Sequence, residues 1–181
     1  LLNRLGLECT LVLGTVETGE GHAWNLVKVD GEYYYVDTTW GDVSYRTEDM
    51  QDAGGGVSLN MPEINYDYLN VTTEEIQRTH TIGGLVAMPH CTATGANYYV
   101  REGAFFTSYD REQMGALFRR AIEEGRNDVT IKCCDALCYE TMVSELIEEQ
   151  EIFQYLTGGE SSIAYAQNEK QLSLTFWVTN S

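Results

Sequence analysis

The chain has 181 residues, enough to bury the core of one good-sized domain or of two small ones. It sets 28 Asp and Glu against 11 Lys and Arg, a formal charge of −17 that repels phosphate and argues against nucleic acid or an anionic membrane surface as partner. With 43% hydrophobic residues it is too apolar for a disordered chain, yet its longest apolar runs, such as Tyr33-Tyr34-Tyr35-Val36, fall far short of the roughly 20 residues of a membrane-spanning helix.

Leu1, Leu2 and Leu5 stand at helical spacing and Gly6 follows, which reads as the last turns of a helix closed by a C′ glycine. The start at Leu1-Leu2-Asn3-Arg4 has neither Met nor the charged and apolar regions of a signal peptide, and reads as the interior of a longer protein. Cys9 to Leu13 predicts a strand ended by Gly14. A second strand runs from His22 to Val29, Asp30-Gly31 marks a tight hairpin turn, and the return strand is Glu32 to Asp37. Residues 44–60 are polar and contain Gly54-Gly55-Gly56, so they read as a loop, placed after Asp37 where it could form a lid. Thr72 and Glu75 have the spacing of a capping box at the start of a short helix.

Tyr98 to Phe106 reads as a strand. Asp110 and Gln113 again have capping-box spacing, ahead of a helix with its stripe at Met114, Leu117, Phe118, Ala121 and Ile122. Val129 to Cys133 is a strand. Asp135 can cap a second helix, striped at Tyr139, Met142, Val143, Leu146 and Ile147 and ended by Gly158-Gly159. Two alternating segments around Tyr165 and Phe176 follow, with Asn168-Glu169-Lys170 at their turn. The expected fold class is α+β. Residues 1–97 form one domain built on an antiparallel sheet, and residues 98–181 a small two-layer β-α-β-α-β-β module.

The five cysteines, Cys9, Cys91, Cys133, Cys134 and Cys138, are odd in number and irregular in spacing, which does not describe a disulfide framework. The cluster Cys133-Cys134-x3-Cys138 lacks paired C-x2-C knuckles and has no nearby His. His90 beside Pro89 and Cys91 offers two adjacent ligand types but no site. The run Glu145, Glu148, Glu149 and Glu151 lacks the spacing of a calcium loop and reads as a solvated helix face. No metal or organic cofactor is expected.

The hairpin gives the sharper signal. A two-residue turn pairs Val29 with Glu32, which sets Asp37 opposite Trp24 and Thr39 opposite His22. Alternation then puts His22, Trp24 and Leu26 on one face with Tyr33, Tyr35 and Asp37. His22 and Asp37 become diagonal neighbours with Cα atoms ~7–8 Å apart, a gap that their side chains can close. An imidazole beside a carboxylate that fixes its tautomer is the base-and-orienter half of a catalytic triad. The nucleophile is missing. His80, after a polar helical stretch, is expected to have a structural hydrogen-bonding role.

The run Gly21-His22-Ala23-Trp24-Asn25-Leu26-Val27, then Asp30-Gly31, then Tyr35-Val36-Asp37-Thr38-Thr39-Trp40-Gly41-Asp42 resembles the His and Asp strands of bacterial members of the transglutaminase-like superfamily. The resemblance extends over residues 1–99: Leu1 to Cys9 is similar to the end of the nucleophile helix and the strand after it. Tyr68-Leu69-Asn70, Thr73-Glu74-Glu75, His80, Pro89, Cys91 and Asn97-Tyr98-Tyr99 are similar to the segment that follows the core. It implies a papain-like core with a Cys-His-Asp triad: His22 as general base and acid, Asp37 as its orienter, and Trp24, Asn25 and Trp40 shaping the site. It also implies a protein or peptide substrate, hydrolysis rather than cross-linking, and a bacterial protein that is exported or displayed at the surface, although nothing in the 181 residues shows export. No cysteine here matches the family's nucleophile, which would fall before Leu1, at the N-terminal end of a helix that favours a thiolate. The alternative is a catalytically inactive binding or cell-surface module.

Overall fold

The computed structural model of the chain describes residues 2–42, 50–51, 64–156, 158–159 and 162–178. The fold is mixed α+β. In chain order its strands are β1 (Cys9–Val16), β2 (Gly21–Val29), β3 (Glu32–Val36), β4 (Met50–Gln51), β5 (Leu69–Val71), β6 (His80–Ile82), β7 (Phe105–Phe106), β8 (Asp128–Cys133), β9 (Ala164–Asn168) and β10 (Ser173–Trp177). Its α-helices are α1 (Thr73–Ile76), α2 (Tyr98–Arg101), α3 (Arg111–Glu123) and α4 (Ala136–Val143). Among the described residues no helix is long and apolar enough to cross a membrane. The chain divides into two compact units, Leu1–Val43 with Glu63–Arg101, and Ser44–Pro62 with Glu102–Ser181.

The first unit is a five-stranded antiparallel sheet in the order β5-β3-β2-β1-β6. Its register comes from the hairpin. Asp30 (φ 53°) and Gly31 (φ 89°) both take the left-handed conformation, the requirement of a two-residue turn whose twist matches the strands it joins. Val29 pairs with Glu32, and pairing continues to Asn25 with Val36. One sheet face buries Val12, Trp24, Leu26 and Tyr35 with Tyr68, Val71, Ile76 and Cys91; the other buries Val27, Tyr34 and Val36 with Ala96.

β1 does not stop at Gly14 but runs on to Val16. Gly14 is there because of close approach: a Cβ at this position would lie 2.0 Å from the Thr81 carbonyl oxygen and 2.6 Å from Cη2 of Trp24. The bare backbone lets β6 pair alongside, with Gly14 opposite Ile82 and Val16 opposite His80. The capping box at Thr72 forms in full: Glu75 donates its amide to the Thr72 hydroxyl and accepts the Thr72 amide at 2.9 Å. The single turn of α1 then delivers the chain to β6.

The expected strand over residues 98–106 is instead α2 followed by β7. Tyr and Val favour strands, but the Asn97 side chain accepts the amides of Tyr99 (3.0 Å) and Val100 (3.4 Å) and starts a helical turn, while Tyr98 stacks on Tyr66.

The second unit is a five-stranded sheet in the order β4-β9-β10-β8-β7, antiparallel except for the β7–β8 pair. α3 makes the crossover between those parallel strands, which no hairpin could join. Only half of its capping box forms. Asp110 accepts the Glu112 and Gln113 amides, while the Gln113 side chain donates to the carbonyls of Gly103 and Phe105. The second helix does not run to Gly158-Gly159. α4 ends at Val143, a π-turn covers Ser144–Glu148, Gln150 turns left-handed (φ 58°), and a 3-10 turn spans Glu151–Tyr155. Of the loop expected at 44–60, Met50–Gln51 forms β4; the rest, and with it the lid, lies outside the described residues.

Candidate active site

Past the last β2–β3 pair the two strands part, and the chain after β3 turns back on itself at Asp37. Its amide donates to the Tyr68 carbonyl (3.0 Å), and its own Oδ1 accepts the amides of Thr39 (2.8 Å) and Trp40 (3.1 Å). This local turn fixes the carboxylate and aims Oδ2 across the sheet. There it accepts from His22 Nε2 at 2.6 Å and from His80 Nε2 at 3.0 Å. The Asp37 and His80 side chains are buried, with 1% and 0% exposure, while that of His22 keeps 17%. The pair reached from hairpin arithmetic is therefore in hydrogen-bond contact.

An ionised carboxylate only accepts hydrogen bonds, so both imidazole Nε2 atoms carry their protons. In neutral His80 the bare Nδ1 then accepts from the Thr79 hydroxyl, 2.8 Å away. His22 Nδ1 has no partner among the described residues and belongs to the only partly exposed side chain of the three. Burial alone would raise the pKa of Asp37; the hydrogen bonds from His80, His22 and the Trp40 amide, with the charge of His22, outweigh it and hold the group below the usual value.

Aromatic rings wall the cluster. Trp24 and Trp40 both meet His80 edge-on at 4.9 Å between centroids, Tyr68 lies 5.7 Å from it, and His22 stacks over Trp24 at 6.0 Å. The indole N–H of Trp24 is buried with no acceptor among the described residues, an unspent donor beside His22. Asn25 stands apart from these. Alternation turns it to the opposite sheet face from His22, and its Nδ2 donates to the Val36 carbonyl at 3.4 Å.

His22, Asp37 and His80 are also the one set of described residues with three metal-ligand atoms close together, within 4.8 Å of one another. A tetrahedral ion at ~2.0–2.1 Å from each ligand needs neighbouring ligand atoms ~3.3 Å apart. The 2.6 Å between His22 and Asp37 is too close for that and suits a shared proton. His90 lies exposed in a loop.

Neither cysteine of this unit is placed as an activated nucleophile. Cys9 pairs with Val27 and packs on the sheet face opposite His22. Cys91 is buried, its Sγ lies 3.6 Å from the Pro89 carbonyl, and burial pushes its thiol pKa up. In the second unit burial likewise raises Cys133 and Cys134.

Sequence reasoning left His80 outside the site. Its pairing partner β1 is remote in sequence and β6 is three residues long, so no local pattern carries the contact. The available cue was scarcity: the chain has three histidines, and two of them meet on one carboxylate. No protein-family model matches the chain, and no curated protein matches it.

Proposed function

We propose that this chain supplies the His-Asp half of a transglutaminase-like cysteine enzyme acting on peptide or glutamine carboxamide bonds. The observation that carries the reading is the polarity of His22: Nε2 is held by Asp37 at 2.6 Å, and Nδ1 is left without a partner among the described residues on a side chain that keeps 17% exposure. That is the arrangement a thiol nucleophile needs from its base.

In this reading a segment preceding Leu1 supplies the cysteine. His22 Nδ1 takes the thiol proton, and the sulfur attacks the carbonyl carbon to give a tetrahedral oxyanion. The C–N bond then breaks as His22 returns the proton to the leaving amine. The acyl-enzyme is released by water, whose proton His22 Nδ1 accepts, or by an amine, which would cross-link. Hydrolysis is the outcome proposed here. Asp37 stays ionised throughout and holds the imidazole in one orientation. No step requires a metal or organic cofactor. The charge of −17 favours neutral or cationic peptide substrates, an effect that salt screens.

The competing reading is a binding module without catalysis, and the placement of Cys9 and Cys91 away from an activating environment is what favours it. Iodoacetamide alkylation of the gene product that includes the segment before Leu1 separates the two. Rapid stoichiometric labelling of one upstream cysteine, slowed about 100-fold by His22→Ala, is the enzymatic outcome. An absent upstream cysteine, or labelling indifferent to His22, overturns it.

A further inference from the structure

We infer that His80 is a positioning residue for His22, acting through the Asp37 carboxylate that the two imidazoles share. This rests on the reading of His22 as the general base.

A buried histidine with a hydrogen bond is ordinary. The unusual feature is where this one spends it. An ionised carboxylate offers about four acceptor sites. Asp37 has all of them filled: two backbone amides on Oδ1 and two imidazole N–H groups on Oδ2. His80 takes the last site, on the same oxygen that holds His22.

The proton on His80 is fixed by Asp37 itself: an ionised carboxylate can only accept, so the neutral ring carries Nε2–H, and the Thr79 hydroxyl, able to donate or accept, donates to the bare Nδ1 at 2.8 Å. Trp24, Trp40 and Tyr68 fix the plane of the ring. The titratable groups meeting here are His22 on β2, Asp37 after β3, Tyr68 in the 3-10 turn Tyr66–Tyr68 and His80 on β6. The facing tryptophans carry no charge.

Two consequences follow for His22. Oδ2 cannot take up water or a proton without breaking a hydrogen bond, so the carboxylate stays an acceptor toward His22. And with Oδ2 also anchored by the His80 N–H, the carboxylate cannot rotate away from His22 Nε2. His80 is also first among the groups that hold the Asp37 pKa down.

The test uses the 15N-labelled 181-residue chain. Long-range imidazole spectra assign each ring's protonated nitrogen, and the His22 Nε2 proton reports its bond to Asp37. In the parent both His22 and His80 read as Nε2–H when neutral. His80→Phe removes the donor, and the expected result is a shifted His22 Nε2 proton that exchanges with water about tenfold faster. The Asp37 carboxyl carbon should then titrate at higher pH. His80→Gln, whose amide reaches the Nε2 position, should restore both. Should His80→Phe fail to fold, His80→Asn asks the same question, because its shorter amide cannot reach Oδ2.

An unmoved His22 proton in a folded Phe or Asn variant overturns the proposal. So does a Gln variant that behaves like Phe, since the effect is then one of packing. The alkylation assay keeps the two readings apart. Coupling seen by NMR without His22-dependent labelling removes the enzyme and the positioning role with it. Labelling that depends on His22, with a rate and pH profile untouched by His80→Asn, removes only the role of His80.

Discussion

In the first unit Asp37 and His80 lie out of water where β2 and β3 part, and every acceptor of the carboxylate is filled by a donor. The second unit has a charge cluster of similar make-up in Tyr109, Arg111, Glu151 and Tyr155. There Glu151 accepts from Tyr109 at 2.6 Å and pairs with Arg111 at the protein surface. Elsewhere in this unit buried Lys132 meets buried Gln171 at 3.3 Å, and half-buried Thr130 meets Thr175 at 2.9 Å. Both units are five-stranded sheets with helical segments. The difference lies in what each buries. The second ties two surface segments together through a half-buried cluster whose cation, Arg111, is open to water, so the ion pair contributes little. The first holds a carboxylate and one imidazole out of water, with His22 at their partly exposed edge, and there an unmatched group is expensive. Such an arrangement persists in a fold only when complete, and completeness is also what a catalytic base requires.

That contrast can be broken, and the largest effect should come from Asp37→Ala. It strands two imidazole donors and two backbone amides in the interior, and about 3–5 kcal/mol of stability should be lost in urea unfolding. Gly14→Ala should follow at about 2–3 kcal/mol, because the new methyl meets the Thr81 backbone, which cannot swing aside as a side chain could. Thr72→Ala, which removes the capping box ahead of β6, should cost about 1 kcal/mol. In the second unit Arg111→Ala should leave the unfolding midpoint unmoved at physiological salt, with any change appearing only at low ionic strength.

Acid sharpens the same comparison. The folded pKa of Asp37 lies below its unfolded value, so its stabilisation is complete above roughly pH 4, the ordinary Asp range, and disappears as pH falls from there through the folded value. Asp37→Asn should therefore flatten the acid limb of the first unit's stability curve, followed by tryptophan fluorescence in a Trp177→Phe background that leaves Trp24 and Trp40 as reporters. Glu151 is also held low, chiefly by the Tyr109 hydroxyl and against some desolvation. Its partner Arg111 is open to water, so any acid limb from this pair should shrink as salt is added.

What could be read from the sequence divides along chain distance. His22 and Asp37 were legible because a two-residue turn fixes register, and register with alternation fixes faces. Trp24 followed from the same alternation. Asn25 was assigned to the site by the resemblance alone, although the same alternation turns it to the opposite face, where the structure has it. His80 needed the pairing of β6 with β1, which local pattern does not encode. Gly14 was misread as a stop because close approach by another backbone leaves the same mark as a turn. Tyr98-Tyr99-Val100 carried strand propensity that the Asn97 cap overrode. The helix after Asp135 kept its stripe but broke into α4, a π-turn and a 3-10 turn.

The Asp30-Gly31 turn has a reach beyond its own two residues. Its left-handed pair of φ angles sets the register that pairs Val29 with Glu32 and Asn25 with Val36, and with it the face from which Asp37 leaves β3. One residue inserted there, with the strands re-paired by a single step, would exchange the two faces of β3 and carry the carboxylate away from both imidazoles. Changing the length of this turn is thus as hazardous to the site as replacing His22. The bend is held both to residues that tolerate a left-handed φ and to two of them.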